Sequence, residues 1–275
     1  MHAWMNGTLL DDPTAGAIEV ADHGFTVGDG VFEAIKVVEG VPFALTRHLD
    51  RLATSAAGIG LPAPDLAEVR RGVAEVLAAQ HLSLGRLRIT FTGGPAPLGS
   101  GRGHAAPTLV VVADAMTAQA PTTTILTVPW PRNERSAIAG LKTTSYAENV
   151  VALAEAQRHG ATEAIFANTV GHLCEGTGSN IFYVLDGELR TPTLASGCLA
   201  GVTRALVVQW CGAREIDEPI EHVEAEATEV FLASTTRDVQ GVTRWGSRTF
   251  EAPGPITREA AETWHRQETE DPDPH

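Results

Sequence analysis

Two residues of this chain could carry covalent chemistry that needs a primary amine. Of the 20 Lys and Arg residues only Lys36 and Lys142 are lysines, and a neutral amine can attack an aldehyde to form an imine. Lys142 lies in the polar, small-residue loop GLKTTS, ahead of the predicted helix AENVVALAEAQRHG. Lys36 lies on the predicted strand VFEAIKVV, where we expect a partly exposed side chain or the edge of a pocket.

Two further patterns favour the binding of an anion. In RLRITF, Arg86, Arg88 and Thr90 alternate with apolar residues, so both arginines face one side of a strand and could hold a carboxylate. The segment GVT at 201–203 opens a predicted helix, where backbone amides and the helix dipole favour a phosphate.

The segment from GLKTTS to GVTR resembles the core of the class IV (fold-type IV) pyridoxal 5′-phosphate (PLP) aminotransferases. The motifs occur in order: a lysine before an EA helix, EGxxxNxF, a TP turn and GVTR, while GDGxxE and HxxRL extend the resemblance over nearly the whole chain. The family includes D-amino-acid and branched-chain aminotransferases, (R)-selective amine transaminases and 4-amino-4-deoxychorismate lyases. The resemblance implies an α/β (α+β) fold of two domains, a small N-terminal α/β lobe and a larger C-terminal β-barrel-like lobe with helices.

The same resemblance implies which residues bind the cofactor. Lys142 would be the catalytic lysine that forms the Schiff base with PLP, and Glu175 in CEGTGSN would contact the pyridine nitrogen and keep the ring cationic. Arg51 in RHLDRL matches the phosphate-binding arginine. Tyr146 would face the cofactor's O3′, and Leu199 would pack against its ring. The remaining implied phosphate contacts are Val202, Thr203, Thr235 and Thr236.

Phe32, Arg88 and Arg102 are the predicted substrate-binding residues. Arg88 matches an arginine of branched-chain members and a lysine of the lyases, and Arg102 is a second partner for a carboxylate. Phe32 stands where D-amino-acid enzymes have a tyrosine. Because GDGVFEAIKVVEG with HLDRL is closest to the D-amino-acid transaminases, we expect that activity first. The lyase comes second, followed by branched-chain L-amino-acid or (R)-amine transamination and, last, a PLP-binding protein without turnover.

The elements that must position these residues fall into two predicted domains, 1–115 and 125–267. The proline-containing segment 116–124 is the predicted linker, and the charged residues 268–275 are expected to be a disordered tail. The first domain is predicted to contain a hairpin about Glu39-Gly40, the helices TRHLDRLATSAAGIGL and APDLAEVRRGVAEVLAAQH, and the strands GRLRITFTG and APTLVVVADA. The second alternates strands such as TILTVPW, EAIFAN and EVFLAS with helices.

Composition narrows the class of protein. A formal net charge of -14 disfavours nucleic acid as a partner, and no apolar run approaches the ~20 residues that span a bilayer. Without a secretory signal we expect a cytoplasmic location. Three cysteines without paired spacing are expected to be reduced, mostly buried thiols that bind no metal. The expected partners are an amino acid, a 2-oxo acid and, by resemblance, a second copy of the chain.

Overall fold

The strands of the N-terminal part form one antiparallel sheet. A computed structural model describes residues 1–275, and in this part the strands are β1 (His2–Met5), β2 (Thr8–Leu9), β3 (Gly30–Val38), β4 (Val41–Pro42), β5 (Leu84–Thr92) and β6 (Thr108–Ala115). Their order is β2-β1-β6-β5-β3-β4. Glu39 and Gly40 join β3 to β4 with φ angles of 48° and 77°, as a two-residue type I′ turn requires. The predicted hairpin is confirmed.

The two faces of this sheet differ because successive side chains of a strand point to opposite sides. On one face Ile35, Val37, Leu87 and Ile89 belong to a buried core, together with residues of helices α2 (Leu45–Gly58) and α3 (Leu66–Ala78). The short helix α1 (His23–Thr26) precedes β3. On β5 the apolar residues are buried and the arginines between them are exposed, which confirms the predicted alternation.

A larger mixed sheet occupies the C-terminal part. Its strands are β7 (Thr122–Thr127), β8 (Glu163–Ala167), β9 (Leu173–Gly176), β10 (Asn180–Leu185), β11 (Glu188–Thr191), β12 (Arg214–Glu215), β13 (Glu229–Ser234), β14 (Asp238–Trp245) and β15 (Arg248–Thr249). The order is β12-β11-β10-β13-β14-β7-β8-β9, with β15 paired to β14. Asp186 and Gly187, both with positive φ, turn β10 into β11. The chain therefore has a mixed α/β fold with two curled sheets.

Four helices accompany this second sheet: α4 (Ala147–Arg158), α5 (Val202–Cys211), α6 (Ile220–Glu226) and α7 (Pro255–Glu270). α5 packs against β13, and α7 packs against β14. The acidic segment at α6, for which no helix was predicted, is helical because Ile220 and Val223 are spaced to reach the core together. None of the chain's helices has both the length and the apolar character needed to cross a membrane.

By their contacts the residues form two compact units. The first contains Met1–Ala118, Leu141–Tyr146 and Pro272–His275, and the second contains Gln119–Gly140 and Ala147–Asp271. The segment with Lys142 therefore groups with the N-terminal sheet, although the predicted domains assigned it to the C-terminal part. β7 begins at Thr122, inside the predicted linker 116–124.

The C-terminal residues differ from the expected disordered tail. Helix α7 continues to Glu270, and residues 272–274 hydrogen-bond to the start of α2. The physical reason is that the carboxylate and the carbonyl groups of this proline-broken segment meet donors on the α2 backbone and side chains.

The three cysteines are free thiols, as expected. Cys174 and Cys198 are buried, and Cys211 is partly buried. Burial raises the pKa of Cys198 to about 11, so this thiol stays protonated at neutral pH.

Candidate active site

The loop that carries Lys142 is attached to the start of β3 by backbone hydrogen bonds. The Phe32 amide donates to the Lys142 carbonyl at 3.1 Å, and the Thr144 amide donates to the Gly30 carbonyl at 2.8 Å. Gly28 has a φ of 72°, and a Cβ atom on Gly30 would lie 3.1 Å from the Thr144 hydroxyl. The two glycines of the GDG motif therefore allow the close approach that fixes Lys142.

The side chain of Lys142 lies among aromatic rings. Its Nζ is 4.4 Å from the centroid of the Phe32 ring and 5.9 Å from that of Tyr146. The guanidinium carbon of Arg88 lies 3.9 Å from the same Phe32 centroid. Partial desolvation of the Arg88 guanidinium lowers its pKa. The structure thus groups three predicted site residues, Lys142, Tyr146 and Arg88, around the ring of a fourth, Phe32.

The second lysine is more buried than expected. Lys36 exposes only 4% of its surface, although it lies on the same face of β3 as Phe32. It follows Phe32 by four residues, a distance of about 13 Å along a strand. Lys36 therefore lies away from the Phe32 ring that Lys142 contacts.

A buried charged cluster lies on the helix-covered face of β3. Glu33 is fully buried and accepts hydrogen bonds from Nε and Nη2 of Arg51 at 2.8 and 2.6 Å and from Nδ1 of His48 at 2.7 Å. Burial alone would raise the pKa of Glu33, but the charge and hydrogen bonds of Arg51, with those of His48, lower it to about 2. A phosphate can reach Arg51 only through N–H groups that Glu33 does not use.

Arg102, a predicted carboxylate partner, is engaged by the protein itself. Its Nε and Nη2 donate to the two carboxylate oxygens of Asp29 at 2.7 and 2.5 Å. Its Nη1 and Nη2 donate to the carbonyls of Gly60 and Ile59 at 2.6 and 2.7 Å. Arg102 lowers the pKa of Asp29 through these hydrogen bonds, outweighing the effect of burial. A substrate carboxylate would have to displace these contacts, so the geometry favours a structural role for Arg102.

In the second unit, the residues predicted to hold the pyridine ring are neighbours. The Leu199 amide donates to Oε2 of Glu175 at 2.9 Å. Nε of Arg132 lies 3.3 Å from Oε1 of the same carboxylate, and the Arg132 guanidinium carbon lies 4.1 Å from the Phe166 ring centroid. Arg132 also pairs with Glu148. A cation and an amide therefore stabilise the ionised form of Glu175.

The predicted phosphate residues of this unit share a neighbour, Asn180. Gly201 is the N-cap of α5, and a Cβ atom there would lie 2.0 Å from the Asn180 side-chain oxygen, so only glycine fits. The Asn180 amide nitrogen donates to the Leu199 carbonyl at 2.9 Å. On its other side the Asn180 backbone pairs with Ala233, two residues before Thr235. Asn180 therefore lies between two predicted phosphate-binding segments. One is the helix start with Val202 and Thr203, and the other is the turn with Thr235 and Thr236.

A buried carboxylate links two loops of the same unit. Glu163 exposes 2% of its surface and accepts hydrogen bonds from the Thr177 amide at 3.0 Å and the Thr177 hydroxyl. The Ser179 hydroxyl and Nη2 of Arg237 donate to its Oε2 at 3.3 and 3.2 Å. Thr177 and Ser179 follow Glu175, and Arg237 follows Thr236. Glu163 thus ties the CEGTGSN loop to the STTR turn.

A family comparison decides the affiliation of the chain. The model of the amino-transferase class IV family matches residues 30–245, which include all the predicted site residues. The chain belongs to the class IV aminotransferases. This family is PLP-dependent, and its transaminases are accompanied by lyases.

Among related class IV proteins, a protein of Methanocaldococcus jannaschii provisionally named as a branched-chain-amino-acid aminotransferase is 32% identical, with 87% of this chain and 86% of the relative covered. The D-alanine aminotransferase of Bacillus licheniformis is 31% identical, with 94% of each covered. A bifunctional aminodeoxychorismate lyase and D-amino acid transaminase of Mycobacterium tuberculosis is 31% identical, with 79% of this chain and 80% of the relative covered.

Solved structures support the class IV fold. The branched-chain aminotransferase of Thermoproteus uzoniensis with norvaline superposes with a TM-score of 0.90 at 29% identity, covering 97% of this chain and 94% of that one. A hypothetical aminotransferase of Mycobacterium tuberculosis in a PLP-bound form gives a TM-score of 0.85 at 26% identity, covering 96% and 98%. The predicted fold type IV is confirmed.

The side chains present fit the cofactor of class IV aminotransferases. PLP has an aldehyde, a pyridine nitrogen and a phosphate, which need an amine, a carboxylate and cationic or amide donors. Lys142 provides the amine among aromatic rings, and Glu175 provides a carboxylate whose charge Arg132 supports. Arg51 in the first unit and, taken separately, the first turn of α5 in the second unit have donors of the kind that a phosphate requires.

Four supporting residues were not predicted from the sequence: Arg132, His48, Glu163 and Arg237. His48 belongs to the HxxRL motif, whose histidine was the available signal. Arg132 lies in the loop PWPRN, which has no spacing relation to Glu175. Glu163 begins a buried strand, where an acidic residue could have indicated a need for nearby donors.

Proposed function

We propose that this chain moves an amino group between an amino acid, with D-amino acids favoured, and a 2-oxo acid. The observation that carries the proposal is the position of Lys142 and Arg88 against one ring, that of Phe32. A substrate carboxylate on Arg88 would hold the neighbouring Cα within reach of a lysine acid/base. Because Lys142 and Arg88 lie beside the same ring, the arrangement suits a substrate that has both an amino group and a carboxylate.

Each side chain has a defined task in this proposal. When bound, PLP supplies an electron-withdrawing ring that makes the Cα proton of the substrate acidic. Lys142 would hold the cofactor through Nζ, and the same amine, when free, would take the Cα proton of the substrate. Glu175 would hold a proton at the pyridine nitrogen, and Tyr146 would orient the cofactor's O3′. The phosphate would be bound by Arg51, Val202, Thr203, Thr235 and Thr236, and Leu199 would contact the ring.

The preference for D-amino acids has support from resemblance. The run GDGVFEAIKVVEG with HLDRL resembles the D-amino-acid transaminases, and two relatives act by name on D-alanine or D-amino acids. The role of Arg102 in binding a carboxylate has less support, since Asp29 and two carbonyls already occupy its donors.

The lyase is the second candidate, and a specific observation favours it. Arg86 and Arg88 lie on one face of β5, as a substrate with two carboxylates would require. The Mycobacterium tuberculosis relative is bifunctional by name, so one chain of this family can combine the two reactions. Transamination of branched-chain L-amino acids or of (R)-amines, and PLP binding without turnover, follow as weaker alternatives. A homodimer and a cytoplasmic location stay predictions, and light scattering tests the first.

The deciding experiment supplies purified holoenzyme with D-alanine and 2-oxoglutarate, with the L-enantiomer and L-leucine in parallel. We expect glutamate to form fastest from D-alanine, with the Lys142→Ala variant inactive as the control. Faster reaction with L-leucine would reverse the ranking toward branched-chain substrates. Pyruvate released from aminodeoxychorismate without any 2-oxo acid would establish the lyase, and no product from any donor would leave only binding.

Arg88 and Arg86 form a matched pair for the substrate site. Arg88→Met should lower kcat/KM for D-alanine about 10- to 100-fold, the range expected when a hydrogen bond to a charged group is lost. Arg86→Met, two residues away on the same face, should leave D-alanine turnover within about twofold and lower only lyase activity. Equal losses from both variants would argue against Arg88 as the carboxylate partner.

A further inference from the structure

The helix that carries His48 and Arg51 has no cap of its own. α2 begins at Leu45, and its N-cap residue is Ala44, in the left-handed region with a φ of 52°. Alanine has no side-chain acceptor, whereas Ser, Thr, Asp and Asn usually accept from the first amides of a helix. The first turn of α2 therefore needs acceptors from elsewhere in the fold.

Residues 272–274 provide those acceptors. Oδ1 of Asp273 accepts from the Thr46 amide at 2.8 Å, and Oδ2 accepts from the Thr46 hydroxyl at 2.6 Å. The Pro272 carbonyl accepts from the Ala44 amide at 2.7 Å. Nε of Arg47 donates to the Pro274 carbonyl at 3.0 Å. These four hydrogen bonds join residues 44–47 to residues 272–274, which lie more than 220 positions later in the sequence.

The segment suits this role in charge and conformation. A carboxylate at a helix N-terminus interacts favourably with the helix dipole. Asp273 stands between Pro272 and Pro274, and a residue before proline is restricted to extended conformations, which lowers the entropy lost on docking. Pro274 is buried and Asp273 is half-buried in the docked state.

We propose that Asp273 is a positioning residue for cofactor binding, because it caps α2 and thereby holds Arg51 in place for the phosphate. This inference rests on the proposed phosphate role of Arg51. Arg51 lies five residues after Thr46, about 7.5 Å along the helix. Glu33 fixes Arg51 from the sheet, and Asp273 fixes the start of the helix, so α2 is restrained at two points.

The test compares PLP with pyridoxal, which lacks the phosphate, by titrating each into the apo form of the full chain. Asp273→Ala should weaken PLP binding about three- to tenfold, the factor expected for loss of a cap, and leave pyridoxal binding within about twofold. Asp273→Asn keeps an acceptor for the Thr46 amide and should recover part of the loss. Glu262→Ala, which removes an exposed carboxylate from α7, is the matched control.

Two further measurements separate the possible failures. Hydrogen exchange of the amides at 46–48 should accelerate in Asp273→Ala and stay unchanged in Glu262→Ala. If Arg51→Met changes the ratio of PLP to pyridoxal affinity and Asp273→Ala does not, the inference is overturned while the function stands. If neither variant changes the ratio, the phosphate role of Arg51 fails and the inference fails with it.

Discussion

Two buried glutamates, one in each unit, hold an arginine, and they do so in different ways. Glu33 binds Arg51 through two hydrogen bonds, and its third partner is the ring of His48. Glu163 receives one bond from Arg237, at 3.2 Å, and otherwise accepts from two backbone amides and two hydroxyls of its own unit. The first carboxylate is balanced mainly by charge, and the second mainly by neutral donors.

This difference indicates what each carboxylate contributes. Removing a charge from a pair of ions leaves the partner uncompensated, which is costly in a buried place. Removing an acceptor from neutral donors leaves those donors buried without a partner. The cost for each donor is smaller than the cost of a buried, uncompensated charge. Glu33 should therefore matter most for the stability of its unit, and Glu163 most for the shape of the loops beside Glu175 and Thr236.

The largest effect is expected from Glu33→Gln. The amide cannot compensate the Arg51 charge, so the free energy of unfolding should fall by about 3–5 kcal/mol. Urea denaturation of the apo protein measures the change, with Glu262→Gln as an exposed control. A loss of about 2 kcal/mol or less would fall within the range expected for Glu163→Gln, and the two carboxylates would then not differ in this respect.

The pH dependence of stability should show the charge balance of Glu33 directly. Its folded pKa of about 2 is below its usual 4.5, so the stabilisation is complete above 4.5 and is lost as pH falls toward 2. Burial, with the nearby charges of Arg51 and Lys142, lowers the pKa of His48 against the opposing effect of Glu33. The unfolded chain therefore binds more protons below about 6.5 as well, and stability declines there too.

The measurement for this prediction is the free energy of unfolding between pH 7 and 3. The original chain should lose stability steadily as pH falls, and Glu33→Gln should show a smaller slope below pH 4.5. Parallel curves for the two proteins would mean that Glu33 has the same pKa in the folded and unfolded states.

A moderate effect is expected from Glu163→Gln. The amide keeps one oxygen that can still accept from the Thr177 amide and hydroxyl, but its nitrogen cannot accept from Arg237 or Ser179. Unfolding should therefore become easier by about 1–3 kcal/mol. Because Thr177 follows Glu175 closely and Arg237 follows Thr236, cofactor affinity should fall as well. Titration of PLP into the apo variant checks this, and a stability loss with unchanged affinity would limit Glu163 to a purely structural role.

Local patterns and family motifs in the sequence predicted part of the fold and of the site. The alternation in RLRITF and the turn at Glu39-Gly40 follow from local rules, so these strands and this hairpin were predicted, whereas β9 and β14 were not. Family motifs indicated Lys142 and Glu175 because their spacing is ordered along the chain. Glu33 lies in GDGxxE and His48 in HxxRL, so the motifs contain these residues of the charged cluster. The motifs alone did not show that the residues contact each other.

Partners that are distant in sequence could not be predicted. Nothing near Asp273 indicates that it meets Thr46, and nothing near Arg132 indicates that it meets Glu175. The ETEDPDPH segment has the composition of a disordered tail, but its first three residues end helix α7 and residues 272–274 hydrogen-bond to α2. The contact between Arg102 and Asp29, which lies 73 positions earlier, was not predicted either.

The smallest effect is expected from Thr177→Val, which tests whether neutral donors dominate around Glu163. The substitution preserves the side-chain shape and removes one hydroxyl donor, while the amide at 177 still donates at 3.0 Å. Stability should fall by about 1 kcal/mol, the usual contribution of one hydrogen bond. Arg237→Met, which removes the charged donor, provides the comparison in the same denaturation assay. If its loss exceeds that of Thr177→Val by more than about 2 kcal/mol, Glu163 is balanced by charge after all, and the two glutamates are alike.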